Sequence, residues 1–254
     1  VVAYRAGDQP NNALSLGVLE AGELAATAGT SGVVYGVVDH PAYDAASRVN
    51  TFVHVNHSPE HRRYGVLLCL NGTGICNRWL KQNTVDGAAG SVGYDHINAL
   101  AAGAPIGSAG LVVLPFGNGA ERTLENRDVG ASIHGLNFNV HTRDHLLRAG
   151  QEGVAFALAY GVAIMREMGM ELVTVKAGRA NMFQSEVFRN AFATTTRTSV
   201  ELYETDGSVG AARGAGIGAG IYRTPADAFA ALKRVETVEP DQERSGQYDE
   251  AMGR

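Results

Sequence analysis

Short apolar runs separated by glycine-bearing turns mark the first third of the sequence. Runs over residues 24–30 and 33–38 flank a Gly-Thr-Ser-Gly turn and predict a β-hairpin. β-Branched or apolar runs bounded by polar loops predict further strands over residues 1–4, 51–55 and 65–70. The pattern therefore predicts a group of strands ahead of any long helix.

The second half of the sequence changes to helical periodicity. Apolar positions recur at helical spacing over residues 141–168, which is long enough for about seven turns. Antiparallel strands followed by alternating helices and strands predict one α/β domain with a mixed sheet. Shorter elements complete the pattern: helices over residues 11–19 and 75–81 and through Phe188 and Phe192, and strands over residues 172–175 and 199–203.

Composition narrows the class of protein. The 254 residues include 32 glycines, which lie at discrete turns and favour tight α/β connections over disorder. With 21 basic and 26 acidic side chains the net charge is −5, which gives no electrostatic footprint for nucleic acid or an anionic membrane. Any phosphate binding is therefore expected to be local.

Cysteine and histidine spacing argues against a disulfide framework or a metal motif. Cys69 and Cys76 are interpreted as small buried hydrophobes in a reducing compartment. The eight histidines show no HExxH spacing. The sequence has no signal-peptide pattern and no uninterrupted apolar stretch that could span a membrane, so we expect a cytoplasmic location. Because the sequence starts without methionine, in an apolar run, we expect it to begin inside a longer protein.

Two turns carry candidate chemistry for phosphoryl transfer. Asp8 lies in the turn Gly7-Asp8-Gln9-Pro10-Asn11-Asn12, where a carboxylate could take a proton from an alcohol or could simply cap the following helix. The Gly29-Thr30-Ser31-Gly32 turn could hold phosphate oxygens on backbone N–H groups and hydroxyls, or could be a hairpin turn without a ligand.

Two common nucleotide motifs are absent from the sequence. It contains no G-x-x-x-x-G-K-[ST] and no strict G-x-G-x-x-G after a predicted strand. A nucleotide would therefore be bound in another way, with hairpin turns for the phosphates and a glycine-bearing turn, Lys176-Ala177-Gly178-Arg179-Ala180-Asn181, against adenosine.

Five ordered motifs carry a resemblance to a known family. The Asp8 turn is followed by residues 27–33, 114–123, 151–156 and 210–215 in the order found in carbohydrate kinases of the FGGY family. From about Tyr4 to Phe229 the chain resembles the C-terminal domain of that family, and within the family it is most similar to the xylulokinases. The resemblance implies a ribonuclease-H-like (actin-like ATPase) α/β fold with a mixed β-sheet flanked by helices.

The resemblance also implies roles for individual residues. Asp8 would be the catalytic base, and Gln9, where relatives often carry asparagine, would lie beside the sugar. Arg179 could cover the adenine, contact a phosphate or point to solvent, and Asn181 could bind adenine or ribose or cap a helix. Glu121, Arg122 and Thr123 would form a structural ion pair and hinge. The remaining nucleotide contacts would come from Gly29, Thr30 and Ser31 and from Gly178. Gly72 and Thr73 would also contact the nucleotide, or would only cap the helix that follows them.

As a whole, the resemblance implies that residues 1–254 are a C-terminal ATP-binding domain whose N-terminal sugar-binding domain is absent from the chain. The intact enzyme would use ATP and Mg²⁺ to phosphorylate a small sugar, D-xylulose first of all. Alternatives are a kinase for another ketose or polyol, such as ribulose or glycerol, and a non-catalytic actin-like nucleotide-binding module. A homodimer is a possible assembly, and neither nucleic acid nor a membrane is expected as a partner.

Overall fold

The computed structural model describes residues 2–87 and 90–254, and a mixed β-sheet lies at its centre. Segments with apolar runs form the strands, and segments with helical periodicity form helices on both sides of the sheet. Within the described residues the strands are β1 (Leu24–Ala28), β2 (Gly32–Val38), β3 (Asn50–Val53), β4 (Tyr64–Leu70), β5 (Val112–Leu114), β6 (Ser132–His134), β7 (Thr174–Gly178), β8 (Ser199–Tyr203) and β9 (Arg234–Val238).

The helices flank the sheet and connect its strands. Short 3-10 turns span Ile106–Gly110, Arg122–Leu124 and Asn181–Gln184. No helix among the residues that the structure describes is both long enough and apolar enough to cross a membrane. The α-helices are α1 (Asp8–Ser15), α2 (Gly74–Thr84), α3 (Tyr94–Gly103), α4 (Arg143–Glu167), α5 (Glu186–Thr196), α6 (Gly207–Gly218), α7 (Pro225–Phe229) and α8 (Ser245–Met252).

Strand order explains how distant turns come together. The seven-stranded sheet runs β3-β4-β2-β1-β7-β8-β9, while β5 and β6 form a separate two-stranded sheet. Strands β1, β2, β4 and β3 pair antiparallel, β1, β7 and β8 pair parallel, and β9 returns antiparallel to β8. The central position of β1 places the β1–β2 turn next to the carboxyl end of β7.

Both faces of the central strands are covered. In β2 every residue is buried, which is expected for a strand with helices on both sides. Val34 faces the larger core with α4 and α5, while Val33, Tyr35 and Val37 face a smaller core with Ala13 of α1. The expected mixed sheet between helix layers is therefore confirmed, and the small core holds α1 against the sheet.

Several predicted elements match the structure closely. The β1–β2 hairpin, strand β8 and the long helix α4 lie where the sequence pattern placed them, within a few residues at the ends. Strand β7 was predicted over residues 172–175 and instead spans Thr174–Gly178. It continues because β1 pairs with it on one side and β8 on the other, so part of the predicted turn at residues 176–181 is strand.

The prediction of a strand over residues 1–4 is wrong for its described part, and Val1 lies outside the described residues. Ala3 and Tyr4 pack against α6, where glycines leave room for them. A Cβ at Gly214 would lie 2.8 Å from the Tyr4 ring, and one at Gly218 would lie 1.8 Å from the Ala3 carbonyl oxygen. Helix α1 was predicted over residues 11–19 and spans Asp8–Ser15, starting right after Gly7.

Candidate functional site

A cleft opens where the β1–β2 turn meets the carboxyl end of β7. It has two adjoining parts that share Gly29, Thr30 and Asn181. The α1 cavity, about 290 Å³, also contacts Gln9, Ser31 and Gly178. The α2 cavity, about 380 Å³, continues along the side of α2 and α3, and its wall includes Gly74, Asn77, Arg78, Tyr94, Asn98 and Gln184.

The first turn of α2 orients the Gly29-Thr30-Ser31 turn. Gly74 N–H donates to the Gly29 carbonyl at 2.9 Å, and Ile75 N–H donates to the Thr30 carbonyl at 3.2 Å. In a planar trans peptide the C=O and the next N–H point in opposite directions. The N–H groups of Thr30 and Ser31 are therefore directed away from α2, and they have no acceptor in the described part of the chain.

Two consecutive N–H groups that point the same way form a concavity suited to an anion. This is the geometry that the sequence predicted for a phosphate-binding turn. Close packing maintains it, because a Cβ at Gly74 would lie 2.3 Å from the Gly29 carbonyl oxygen. A Cβ at Gly32 would lie 2.6 Å from Thr73 Oγ1. The packing therefore requires glycine at position 32 of the hairpin and at position 74 at the start of α2.

Asp8 is the first residue of α1, and its carboxylate is exposed. Gly7, not Asp8, occupies the N-cap position. Asp8 Oδ1 accepts the Gln9 backbone N–H at 2.9 Å, and Oδ2 accepts from Gln9 Nε2 at 3.3 Å. Asp8 thus lies in the first turn of α1, where its carboxylate accepts one backbone N–H of that turn, and the neighbouring Gln9 lines the α1 cavity.

Several polar groups act on the pKa of the Cys69 thiol, near the end of strand β4. Burial is the largest cause that raises the pKa of the Cys69 thiol, and the negative charges of Glu121 and Asp8 raise this pKa further. The Ser31 side chain lies beside the same thiol and acts in the opposite direction. The Asp8 charge and the Ser31 side chain thus act on the same thiol.

Backbone contacts position the third predicted turn at the end of β7. Gly178 is its last strand residue, and a Cβ there would lie 2.9 Å from the Thr205 carbonyl oxygen. Arg179 donates its N–H to the Tyr203 carbonyl at 2.9 Å, while its exposed side chain lines neither cavity. Asn181 has a left-handed backbone, φ 53°, and its exposed side chain faces Gly29 across the cleft.

Gly72 and Thr73 are not brought to the wall of either cavity. A Cβ at Gly72 would lie 1.6 Å from the Pro115 carbonyl oxygen, so glycine permits that close approach. Thr73 is fully buried and donates its hydroxyl to the Leu70 carbonyl at 3.0 Å. Thr73 therefore packs behind Gly32 of the hairpin turn, whereas Gly72 packs against Pro115.

The predicted ion pair of Glu121 is wrong, because backbone amides take the place of a cation. Its buried carboxylate accepts the N–H groups of Asn71 at 3.0 Å and Gly72 at 3.1 Å. Burial raises the pKa of Glu121, and these two N–H groups oppose the rise. Arg122 instead donates to the Ser47 carbonyl at 3.1 Å. Glu121 is a structural residue, as expected, with a different partner.

Sequence reasoning did not find several polar residues of the cleft. Asp206 lines the α1 cavity and caps α6, accepting N–H groups from Ser208 at 2.8 Å and Val209 at 3.0 Å. The Ser208 side chain and these amides hold the pKa of Asp206 below its usual value. An aspartate before a run of small residues is a signal for a helix N-cap. Asn77, Arg78, Tyr94 and Asn98 of the α2 cavity carried no comparable local signal.

The acidic and metal-ligating side chains do not form a metal cage. Within residues 2–87 and 90–254 there is no group of three or more His, Cys, Asp or Glu side chains that could hold an ion. A magnesium ion would therefore depend mainly on phosphate oxygens and water, with a single carboxylate at most.

The proteins that match this chain are carbohydrate kinases. The family model described as "FGGY family of carbohydrate kinases, C-terminal domain" matches residues 24–220. Xylulose kinase of Haemophilus influenzae is 29% identical over 69% of this chain and 33% of its own length. Xylulose kinase of Staphylococcus epidermidis is 27% identical over 96% of this chain and 48% of its own length. The chain thus spans a third to about half of these curated relatives.

A solved structure supports the same relationship. The crystal structure of xylulose kinase from Rhodospirillum rubrum superposes with a TM-score of 0.80 and 27% identity, over 98% of this chain and 49% of that one. The actin-like ATPase fold implied by the resemblance is confirmed. Since the family model also covers most of the sequence, this xylulokinase-like chain belongs to the FGGY family of carbohydrate kinases.

Proposed function

We propose that this chain is the C-terminal, nucleotide-binding domain of an ATP-dependent sugar kinase whose acceptor is D-xylulose. An N-terminal domain of the same protein would supply most sugar contacts. The observation that carries the proposal is the convergence of three turns, because Gln9, the Gly29-Thr30-Ser31 turn and Gly178 contact one cavity. The xylulose kinases among the relatives support the choice of acceptor.

In this mechanism the hairpin turn binds the transferred phosphoryl group. The N–H groups of Thr30 and Ser31, turned away from α2, would donate to phosphate oxygens and stabilise charge in the transition state. The α2 cavity would hold the nucleoside, and Asn181 lies where the two cavities meet. Bound magnesium would neutralise phosphate charge and would rest on those oxygens, on water and on Asp8.

Asp8 would be the general base. Its exposed carboxylate at the entrance of α1 can orient the sugar hydroxyl and accept its proton as the hydroxyl attacks the γ-phosphoryl group. Contacts with Gln9 fix the carboxylate before substrate arrives. Gln9 would then contact the sugar from the α1 cavity.

An Asp8→Asn change in the full-length protein tests this role. Asparagine keeps a side-chain oxygen for the Gln9 N–H but cannot accept the proton, so transfer should fall by roughly 10²–10⁴-fold. The affinity for ATP in the absence of magnesium should stay nearly constant, as measured by calorimetry. Asp144→Asn makes the same change in the first turn of α4 and should leave the rate unaltered. Transfer at the normal rate in Asp8→Asn would remove Asp8 from the mechanism.

The acceptor requires its own experiment. A panel of ketoses, aldonates and polyols should be assayed with the full-length protein, with ADP release as the readout. D-Xylulose should give the highest kcat/KM. A preference for ribulose or glycerol would establish the second candidate, another sugar kinase of the family. ATP binding without transfer to any acceptor would indicate a nucleotide-binding module instead.

A further inference from the structure

The segment that leads from the end of β4 into α2, called here the β4–α2 segment, uses its backbone N–H groups in two directions. Its first two residues, Asn71 and Gly72, donate to the Glu121 carboxylate at 3.0 Å and 3.1 Å. Its last two residues, Gly74 and Ile75, donate to carbonyls of the β1–β2 turn at 2.9 Å and 3.2 Å. Glu121 therefore holds one end of the segment, and the other end holds the turn proposed to bind phosphate.

Thr73, between these two pairs of residues, leaves the segment little freedom to move. It is fully buried, and its hydroxyl donates to the Leu70 carbonyl at 3.0 Å. A Cβ at Gly32 would lie 2.6 Å from Thr73 Oγ1, so Thr73 also packs against the end of the hairpin turn. Close-packed interiors transmit a displacement because they cannot absorb it. A shift at the start of the segment would therefore reach the hairpin turn.

Glu121 is itself held in place by its own loop. Its N–H donates to the Arg127 carbonyl at 3.0 Å, and its carbonyl accepts the N–H groups of Leu124 at 3.1 Å and Asn126 at 2.9 Å. Its side chain is fully buried. A hydrogen bond to a carboxylate is roughly twice as strong as one between neutral groups. The carboxylate is therefore a fixed and strong acceptor for the start of the β4–α2 segment.

We infer that Glu121 is a positioning residue for phosphate binding. Its hydrogen bonds to Asn71 and Gly72 fix the β4–α2 segment. The segment in turn fixes the direction in which the Thr30 and Ser31 N–H groups point. Glu121 lines neither cavity, so it acts through these residues and does not touch a ligand. This inference rests on the proposed function, which places phosphate oxygens at the two N–H groups of the turn.

Two variants of the full-length protein separate the position of the carboxylate from its charge. Glu121→Asp keeps the charge but shortens the side chain by one methylene group, which draws the acceptor away from both N–H groups. Glu121→Gln keeps the length but removes the charge. Because Asn71 N lies 3.0 Å from each carboxylate oxygen, either orientation of the new amide places its NH₂ group against that N–H.

The readout is the Kd of adenosine divided by the Kd of ATP. Both ligands share the nucleoside, so this ratio reports the binding of the phosphates alone. Calorimetry without magnesium measures it, with adenosine titrated in competition with ATP. We expect each variant to lower the ratio about tenfold, as loss of one well-oriented charge-assisted contact implies. A Glu121 with a purely structural role would lower the Tm and leave the ratio unchanged.

Two further variants complete the experiment. Glu125→Gln is the matched control, because it removes the same charge from an exposed position of the same loop and should not change the ratio. Asn71→Ala decides the matter if neither Glu121 variant folds. It removes an exposed contact between the two loops, in which Asn71 Nδ2 donates to the Ala120 carbonyl at 2.9 Å. The ratio should then fall about threefold.

The inference stands if every Glu121 variant that folds lowers the ratio, and it is overturned if one of them leaves the ratio unchanged or raises it. Where neither folds, an unchanged ratio in Asn71→Ala overturns it. Equal Kd values of adenosine and ATP in wild type would overturn the role of the hairpin turn, and failure to bind ATP would overturn the proposed function itself. Tight ATP binding that the variants do not alter would leave the proposed function intact.

Discussion

At Gly29 and Thr30, two carbonyl hydrogen bonds decide where two N–H groups point. The carbonyls are held by the first turn of α2, and peptide planarity directs the following N–H groups to the other side. A helix N-terminus, which often binds anions itself, here positions a neighbouring turn. The direction of the Thr30 and Ser31 N–H groups therefore depends on α2 residues outside the hairpin turn.

A Gly74→Ala variant should disturb that arrangement. The new Cβ would lie 2.3 Å from the Gly29 carbonyl oxygen, which is backbone and cannot rotate away. We expect a loss of about 1–3 kcal/mol in the free energy of unfolding, typical of overpacking, together with weaker ATP binding. Urea denaturation and calorimetry measure the two effects. Gly246→Ala is the control, because a Cβ there meets nothing within 4 Å. If both variants had the same stability and the same ATP affinity, the contact between Gly74 and Gly29 would not matter for either property.

His54 is a buried residue whose protonation should affect stability. It is 2% exposed, with Nδ1 accepting from the Tyr35 hydroxyl at 2.9 Å and Nε2 donating to the Val18 carbonyl at 3.0 Å. Burial lowers its pKa from 6.5. Below that pH the unfolded chain binds a proton that the folded chain does not bind. The free energy of unfolding should therefore fall as pH drops below about 6.5.

Urea denaturation at about pH 7.5 and about pH 5.5 tests the effect of His54. His54→Gln should lose about 1–3 kcal/mol at the higher pH, because Tyr35 and Val18 lose a well-placed partner. It should then lose less stability than wild type on acidification. The exposed His96 provides the control variant His96→Gln, which should follow wild type at both values. Equal pH dependence of wild type and His54→Gln would show that His54 has no part in acid sensitivity.

At the scale of elements, α6 positions α1 through glycine. A Cβ at Gly210 would lie 2.7 Å from the Asn11 carbonyl oxygen and 2.8 Å from Ser15 Cβ. Asn11 Nδ2 donates to the Gly207 carbonyl at 2.7 Å, and Arg213 donates to the Ser15 carbonyl at 2.8 Å. The small residues of α6 thus set the position of the helix whose first residue is Asp8.

A Gly210→Ala variant should separate these two helices. Alanine normally favours a helix interior by about 1 kcal/mol over glycine, but here the added methyl group meets the backbone of α1. We expect lower stability and a rate of phosphoryl transfer reduced about tenfold or more, since small displacements of catalytic groups are costly. Ala215→Ser adds one atom on an exposed position of the same helix and should do neither. A normal rate in Gly210→Ala would mean that α6 does not position Asp8.

At the scale of the whole molecule, the chain matches less than half of the length of its xylulose kinase relatives. Asp8 lines neither of the two cavities, and its carboxylate is exposed at the start of α1. In the proposed enzyme a second domain would close over this side and exclude water, so that phosphoryl transfer to sugar exceeds hydrolysis. Substrate selection would then be a property of the pair of domains.

Residues 1–254 alone should therefore bind nucleotide weakly and should not phosphorylate sugar. Calorimetry with ATP and an assay of sugar-dependent ADP release measure the two properties. Circular dichroism and a cooperative thermal transition serve as controls that the domain is folded. Robust sugar-dependent ADP release from this chain alone would contradict the division of labour between two domains.

Local sequence determined the elements whose signals are contained in a few neighbouring residues. The β1–β2 hairpin has an apolar run and a valine-rich run around a glycine turn, and α4 has apolar positions at helical spacing, so both were predicted. The order of motifs along the chain was enough to indicate the family. Asp8 and the Gly29-Thr30-Ser31 turn were proposed as site residues for the same reason, because the residue types that indicate their chemistry lie next to each other in the sequence.

Tertiary structure decided whatever depends on partners far apart in the sequence. Gly74 donates its N–H to the Gly29 carbonyl, the Glu121 carboxylate accepts from Gly72, and the Gln151 amide lies within hydrogen-bond distance of Asn98. None of these pairs has a local signature in the sequence. Strand β7 extends because both neighbours pair with it. Hydrogen-bond direction and close packing are properties of three-dimensional contacts. The sequence therefore indicated which turns could bind phosphate, and the fold determined which way their N–H groups point.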